Sequence, residues 1–222
     1  MTPLNDLSPL LDTNRLIALI EFPQADWGRP YGEALVEGGV GAVQIPVHTD
    51  AEWGALRAAV NVPGLVAGAG TVVSVTDVDR AHDLGAAFIT TPGIDTDVIE
   101  RALTHHLPVL AGVATPTDVL AALKLGLTTL YFFPSGPYGG HRTLQTFHFP
   151  FPQVSFVPDQ DVDAGNLGDY LALPNVPAVS GAFIVPHAIV NTGDPDQVRQ
   201  AAATAVALAD QALALAQERA TQ

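Results

Sequence analysis

Residues 42–71 read AVQIPVHTDAEWGALRAAVNVPGLVAGAGT, and this stretch decides the fold. Ala42-Val43-Gln44-Ile45-Pro46 is a short, mainly apolar run of strand length. Ala51 to Val60 follows with helical spacing. Leu65-Val66-Ala67-Gly68-Ala69-Gly70-Thr71 is a second strand-sized run. A strand, a helix and another apolar strand make one parallel βαβ unit, because a strand that is apolar throughout must be covered on both faces. The same rhythm extends in both directions. Upstream, Leu16 to Ile20 precedes a helix at Tyr31 to Glu37, which Gly38-Gly39 stops. Downstream, Val75 to Leu84 leads to Ala87-Phe88-Ile89-Thr90-Thr91, then Asp95 to His105, Pro108 to Gly112, Pro116 to Leu125 and Thr129 to Phe133. A glycine-rich stretch, Val154 to Val157, Asn166 to Leu173 and Ala178 to Gly181 complete the series. Asp194-Pro195 then opens a last, alanine-rich helix running to about Ala216, a capping acid followed by proline at the first helical position.

Eight such strands predict an α/β fold, a closed (β/α)8 TIM barrel, with its site at the C-terminal ends of the strands. A doubly wound open sheet explains the alternation equally well. It is disfavoured because no G-x-G-x-x-G turn follows the first strand, and Gly68-Ala69-Gly70-Thr71 lacks the third glycine.

Composition narrows the function. The 222 residues carry 9 basic against 23 acidic side chains, a formal charge of −14, which argues against nucleic acid as a partner. Charged residues are 14% and hydrophobic residues 48%, enough for one large core over residues 1–222, with 1–14 as an N-terminal extension. No cysteine is present, which excludes disulfides, thiolate metal sites and cysteine nucleophiles. Met1 to Thr13 has neither a basic residue nor a long apolar run, and the apolar runs are far shorter than the roughly 18 residues of a spanning helix. The expectation is therefore a cytoplasmic protein without a membrane partner. Eight of the basic residues are arginine and Lys124 is the only lysine.

Gly68-Ala69-Gly70-Thr71, Thr91-Pro92-Gly93, Gly112 to Thr117, Phe132-Phe133-Pro134 and Gly139-Gly140 occur in an order and spacing that resembles the KDPG/KHG aldolase family over roughly Arg15 to Ala214. The resemblance implies a homotrimeric, class I aldolase-like barrel that cleaves 2-keto-3-deoxy acids to pyruvate and an aldehyde through a lysine Schiff base. That lysine condenses with the substrate ketone, and the iminium takes up electrons as the C–C bond breaks.

The chain departs from the pattern at the reacting positions. The residue before Phe-Phe-Pro, where the family keeps its lysine, is Tyr131, and a phenol forms no imine. Lys124 ends a helix and belongs at the opposite end of the barrel. The family's proton-moving glutamate corresponds to Gln44, an amide that hydrogen-bonds but accepts no proton near neutrality. The arginine that holds the substrate carboxylate corresponds to Glu21, with His48 nearby on the next loop. The phosphate turns are replaced by Pro158-Asp159-Gln160-Asp161 and Ser180-Gly181-Ala182, so Asp159 and Asp161 are expected to repel a phosphate and to favour hydroxyl-rich or cationic ligands.

Candidate catalytic groups are therefore Tyr131, Gln44 and His48, which could polarise and orient a small carbonyl or hydroxy compound. Tyr131 could equally fill space. Candidate binding groups are Glu21, Thr71, Pro92, Phe133, Asp159, Asp161 and, in the glycine-rich loop, Arg142. Thr71 and Pro92 could equally serve the turns they sit in. No cofactor is expected. Three readings follow: a lysine-independent lyase, a pseudoenzyme that keeps the barrel as a binding scaffold, or a metal-assisted lyase using Glu21, Asp159 and Asp161. Solvated loop acids explain the last set more simply, so no metal ligand is assigned.

Overall fold

Each apolar run forms a short strand, and the computed structural model describes residues 5, 7–11 and 13–220. The strands are β1 (Leu16–Leu19), β2 (Ala42–Pro46), β3 (Val66–Gly70), β4 (Ile89–Thr91), β5 (Val109–Val113), β6 (Thr129–Phe132), β7 (Ser155–Pro158) and β8 (Val179–Gly181). They pair in parallel in the order β7-β6-β5-β4-β3-β2-β1-β8, one strand per βα step. Residues of β2 and β5 are buried along their whole length, as a sheet with helices outside and side chains inside requires. β7 and β8 face each other across the seam of the barrel without ladder hydrogen bonds, and side chains close that seam.

The helices are α1 (Ser8–Leu11), α2 (Gly28–Glu37), α3 (Asp50–Ala59), α4 (Val75–Leu84), α5 (Thr96–Thr104), α6 (Pro116–Lys124), α7 (Gly140–Phe147), α8 (Leu167–Leu171), α9 (His187–Val190) and α10 (Pro195–Ala220). Caps define where they start. Thr49 with Glu52 and Thr115 with Asp118 form complete capping boxes at α3 and α6, while Ser74 and Asp95 cap α4 and α5 through one hydrogen bond each. Such a cap contributes about 1 kcal/mol. It also holds each helix close behind the loop that carries the site. None of the described helices is long and apolar enough to cross a membrane.

Two short helices, α1 and α9, and α7 in the glycine-rich segment depart from the sequence expectation. Four residues are too few for a helical period to be seen. The described part of the N-terminal extension plugs the barrel floor. Leu7 and Leu10 pack with Ile17, Ala42, Phe88, Leu110, Val157 and the ring of Tyr131, and the Asn5 side chain bonds both backbone groups of Val109. Phe88 reaches this layer because Gly68 has no side chain: a Cβ there would lie 2.5 Å from the Phe88 ring.

The α2–α3 contact is equally tight. A Cβ on Gly28 would lie 2.6 Å from the Ala55 Cα, against backbone that cannot move aside. Gly28 is helical, so alanine would gain about 1 kcal/mol of helix propensity, and the overlap outweighs that gain. Gly28→Ala is expected to lose about 2 kcal/mol net, a fall in Tm of about 4–8 °C by calorimetry.

Candidate functional site

The upper half of the barrel interior is polar. β2 contributes Gln44, β4 Thr90, β6 Tyr131, β8 Ser180, and the first residue after β7 is Asp159. All five are buried. The Gln44 amide nitrogen lies 2.7 Å from the Tyr131 hydroxyl, 2.7 Å from Asp159 Oδ2 and 2.6 Å from Ser180 Oγ, so its two N–H groups serve three oxygens. Its Oε1 accepts from Thr90 Oγ1 at 2.9 Å. Tyr131 donates to Asp159 Oδ2, as does Ser180 Oγ at 2.9 Å, which ties β8 to β7 across the seam. The backbone N–H of Gln160 donates to Asp159 Oδ1.

Burial governs the charge of this layer. It pushes the Tyr131 phenol well above its ordinary value of 10.0, and the Asp159 carboxyl beside it adds to that shift, so Tyr131 is a neutral hydrogen-bond donor at physiological pH. Burial also raises the Asp159 carboxyl above 3.8, against the opposing pull of the hydrogen bonds from Tyr131, Gln160, Ser180 and Gln44. Neither the phenol nor the Gln44 amide is a base here.

The turn after β7 holds Asp159 inward. Gln160 and Asp161 are consecutive non-glycine residues in the left-handed region, with φ of 62° and 72°. Such residues cost roughly 1–2 kcal/mol each and persist only where neighbours fix them. Buried Ser135 supplies that constraint: its N–H donates to the Asp159 carbonyl at 3.0 Å and its hydroxyl to the Gln160 carbonyl at 2.9 Å.

Above this layer, at the C-terminal ends of the strands, opens a cavity of ≈ 380 Å³. Leu19, Pro46, Phe133 and Phe183 form apolar walls, Glu21, His48, Asp161 and His187 ring it, and Asp159 lies at its floor. Among the described residues no lysine or arginine lines it. Thr71, with φ of 57°, also lines it. Its N–H donates to Thr90 Oγ1 at 3.2 Å, linking the cavity wall to the Gln44 amide below.

Of the residues expected from the sequence, Glu21, His48, Thr71, Phe133, Asp159 and Asp161 do meet at this cavity, and Gln44 and Tyr131 lie beneath it. Three placements differ from expectation. Asp159 is 3% exposed and turned into the barrel, so it does not face an incoming ligand as a solvated charge. Arg142 sits exposed on α7, and Pro92 is not among the lining residues either; its backbone lies over Gly112. Glu21, Asp159 and Asp161, the three groups considered for a metal, share the cavity without forming a ligand set: among the described residues no cluster of three or more His, Asp or Glu side chains could hold an ion. Tyr131 is more than filler, since its hydroxyl is bonded. Lys124 is the last residue of α6, exposed, and helices that run antiparallel to the strands end on the face away from the cavity. Ser180 and Thr90 are site residues that sequence reasoning missed.

Comparison with known proteins agrees with this architecture. The chain matches the aldolase family described as KDPG and KHG aldolase over residues 8–201. It is 31% identical over 198 residues to the KHG/KDPG aldolase of Escherichia coli, covering 89% of this chain and 93% of that protein. It is 37% identical over 172 residues to the 2-dehydro-3-deoxy-phosphogluconate aldolase of Pseudomonas aeruginosa, covering 77% and 78%. The structure superposes on the 2-keto-3-deoxy-6-phosphogluconate aldolase of Zymomonas mobilis, solved with 3-phosphoglycerate, with a TM-score of 0.84, 29% identity and coverage of 89% and 93%. For the KDPG aldolase of Legionella pneumophila, solved with pyruvate captured as a covalent carbinolamine, the TM-score is 0.86, with 26% identity and coverage of 90% and 98%. A (β/α)8 barrel with its cavity at the strand C-termini and these relatives place the chain in the KDPG and KHG aldolase family.

Proposed function

We propose that this barrel binds a small, non-phosphorylated carbonyl or hydroxy compound and does not perform Schiff-base aldol chemistry. The observation that carries the reading is the state of Tyr131: a buried, neutral phenol whose hydroxyl is engaged by Gln44 and Asp159, at the position where the resemblance puts the reactive amine. An aldol cleavage needs an electron sink, and neither a phenol nor an amide forms an iminium. The single lysine is on the far face. The cavity itself, with carboxylates at its rim and no lysine or arginine among its described lining residues, favours a neutral hydroxylated ligand over an acid or a phosphate ester.

A second reading keeps some chemistry. The Tyr131–Asp159 hydrogen bond lies under the cavity floor, and the phenol would polarise a carbonyl oxygen only by turning its one proton from Asp159 to the ligand, with His48 above it. The two readings separate in a turnover assay. Pyruvate release from 2-keto-3-deoxy acids, with and without phosphate, is expected to stay at the buffer rate. Release that depends on the enzyme and disappears in Tyr131→Phe would favour the lyase. By the same resemblance we propose a homotrimer, which light scattering on a size-exclusion column checks.

A further inference from the structure

The Asp159 side chain is surrounded the way a bound acid is. Four donors from separate parts of the barrel converge on its two oxygens: the Tyr131 hydroxyl from β6, the Gln44 amide from β2 at 2.7 Å, the Ser180 hydroxyl from β8 at 2.9 Å, and the Gln160 backbone N–H. The three side-chain donors are buried, and neutral donors aimed at both oxygens of one carboxyl group are the components of a carboxyl-binding pocket. The pocket opens on the cavity, since Asp159 lies at the cavity floor with Oδ1 3.9 Å from the Cβ position of Gly181 in its wall. The turn that delivers the side chain holds Gln160 and Asp161 in left-handed backbone, a conformation maintained by Ser135.

We propose that Tyr131, Gln44, Ser180 and the Gln160 N–H form a carboxyl-binding subsite that the protein fills with its own Asp159, and that Asp159 is thereby the residue that excludes small acids from this barrel. The ligand class is a monocarboxylic acid short enough to replace one side chain: formate or acetate. The proposal rests on the functional reading above only in taking the cavity as the ligand's side of the barrel. A pyruvate adduct on Lys124 of the wild-type chain, on the face away from the cavity, would overturn that reading and leave this one standing.

Asp159→Ala empties the subsite and leaves its donors in place. In thermal unfolding at about pH 5.5, about 100 mM formate is expected to raise the Tm of Asp159→Ala by about 3 °C or more over chloride at equal ionic strength, because only the folded state offers the pocket. Wild type and Asp159→Asn, whose pocket stays filled, should show no difference between the two salts. Adding Tyr131→Phe to Asp159→Ala should shrink the formate effect. If Asp159→Ala does not fold in buffer, its refolding yield in formate against chloride reads the same quantity, with recovery in formate alone supporting the subsite. Equal behaviour of Asp159→Ala in formate and chloride, or an equal formate shift in wild type, would overturn it, since a purely seam-holding Asp159 makes no binding site for a free acid.

Discussion

Replacing Asp159 with alanine in plain buffer is expected to lower stability by about 3 kcal/mol, a fall in Tm of about 6–12 °C for a chain of this size. The side chain is buried, and its loss leaves buried donors on Gln44, Tyr131 and Ser180 competing for fewer acceptors. It also removes the Ser180–Asp159 side-chain link between β8 and the end of β7, where backbone pairing is missing. The effect has a pH signature. The folded carboxyl is raised above 3.8 by burial, so the folded state holds this proton more tightly than the unfolded chain. Its stabilisation is then fully present below about pH 3.8 and is lost as pH rises through the higher folded value. The penalty of Asp159→Ala should therefore be larger near pH 5 than at pH 8, read from denaturant midpoints at each pH. An equal penalty at both would show that the carboxyl does not titrate as its burial requires.

Gln44→Glu is expected to destabilise by about 3 kcal/mol or more at pH 8 and by clearly less at pH 5. The Gln44 nitrogen lies 2.7 Å from Asp159 Oδ2, so the new side chain would bring a second carboxylate into contact with the first and remove two N–H donors. Two carboxyls at that separation share a proton, and raising the pH forces the second charge into a buried site. Combining Gln44→Glu with Asp159→Ala should cost less than the sum of the two single changes, by about 1–3 kcal/mol. Strict additivity in that double-mutant cycle would mean that the two positions do not share a site. A glutamate at position 44, where the resemblance places one, is therefore expected to be destabilising at pH 8 while Asp159 occupies the barrel.

Much of the fold is legible in the sequence because it depends on local patterns. Eight apolar runs mark eight strands, Thr49, Ser74, Asp95 and Thr115 are caps of ordinary type, and Asp194-Pro195 marks the start of α10. Most of the cavity is legible too, since Glu21, His48, Thr71 and Phe133 lie at or just beyond the ends of strands. What is illegible depends on convergence or on backbone angle. Ser180 and Thr90 are small hydroxyl residues inside apolar strands, and nothing marks them until β8 and β4 bring them to Gln44. Asp159 and Asp161 look alike in a loop, yet the left-handed turn at Gln160 sends the first into the barrel and leaves the second at the rim. Gly68, read as part of a turn motif, proves to be the space into which Phe88 packs. The glycines beside Arg142 suggest a flexible binding loop, but α7 starts at Gly140 and carries the side chain to an exposed position off the cavity lining.

By the proposed reading, a closed hydrogen-bond layer around Tyr131 stands where the resemblance puts the Schiff-base amine. Incubating the full-length chain with pyruvate and borohydride and measuring its intact mass tests this directly. The expected result is the unmodified mass alone; a stoichiometric single-pyruvate adduct, mapped to Lys124, would contradict the account.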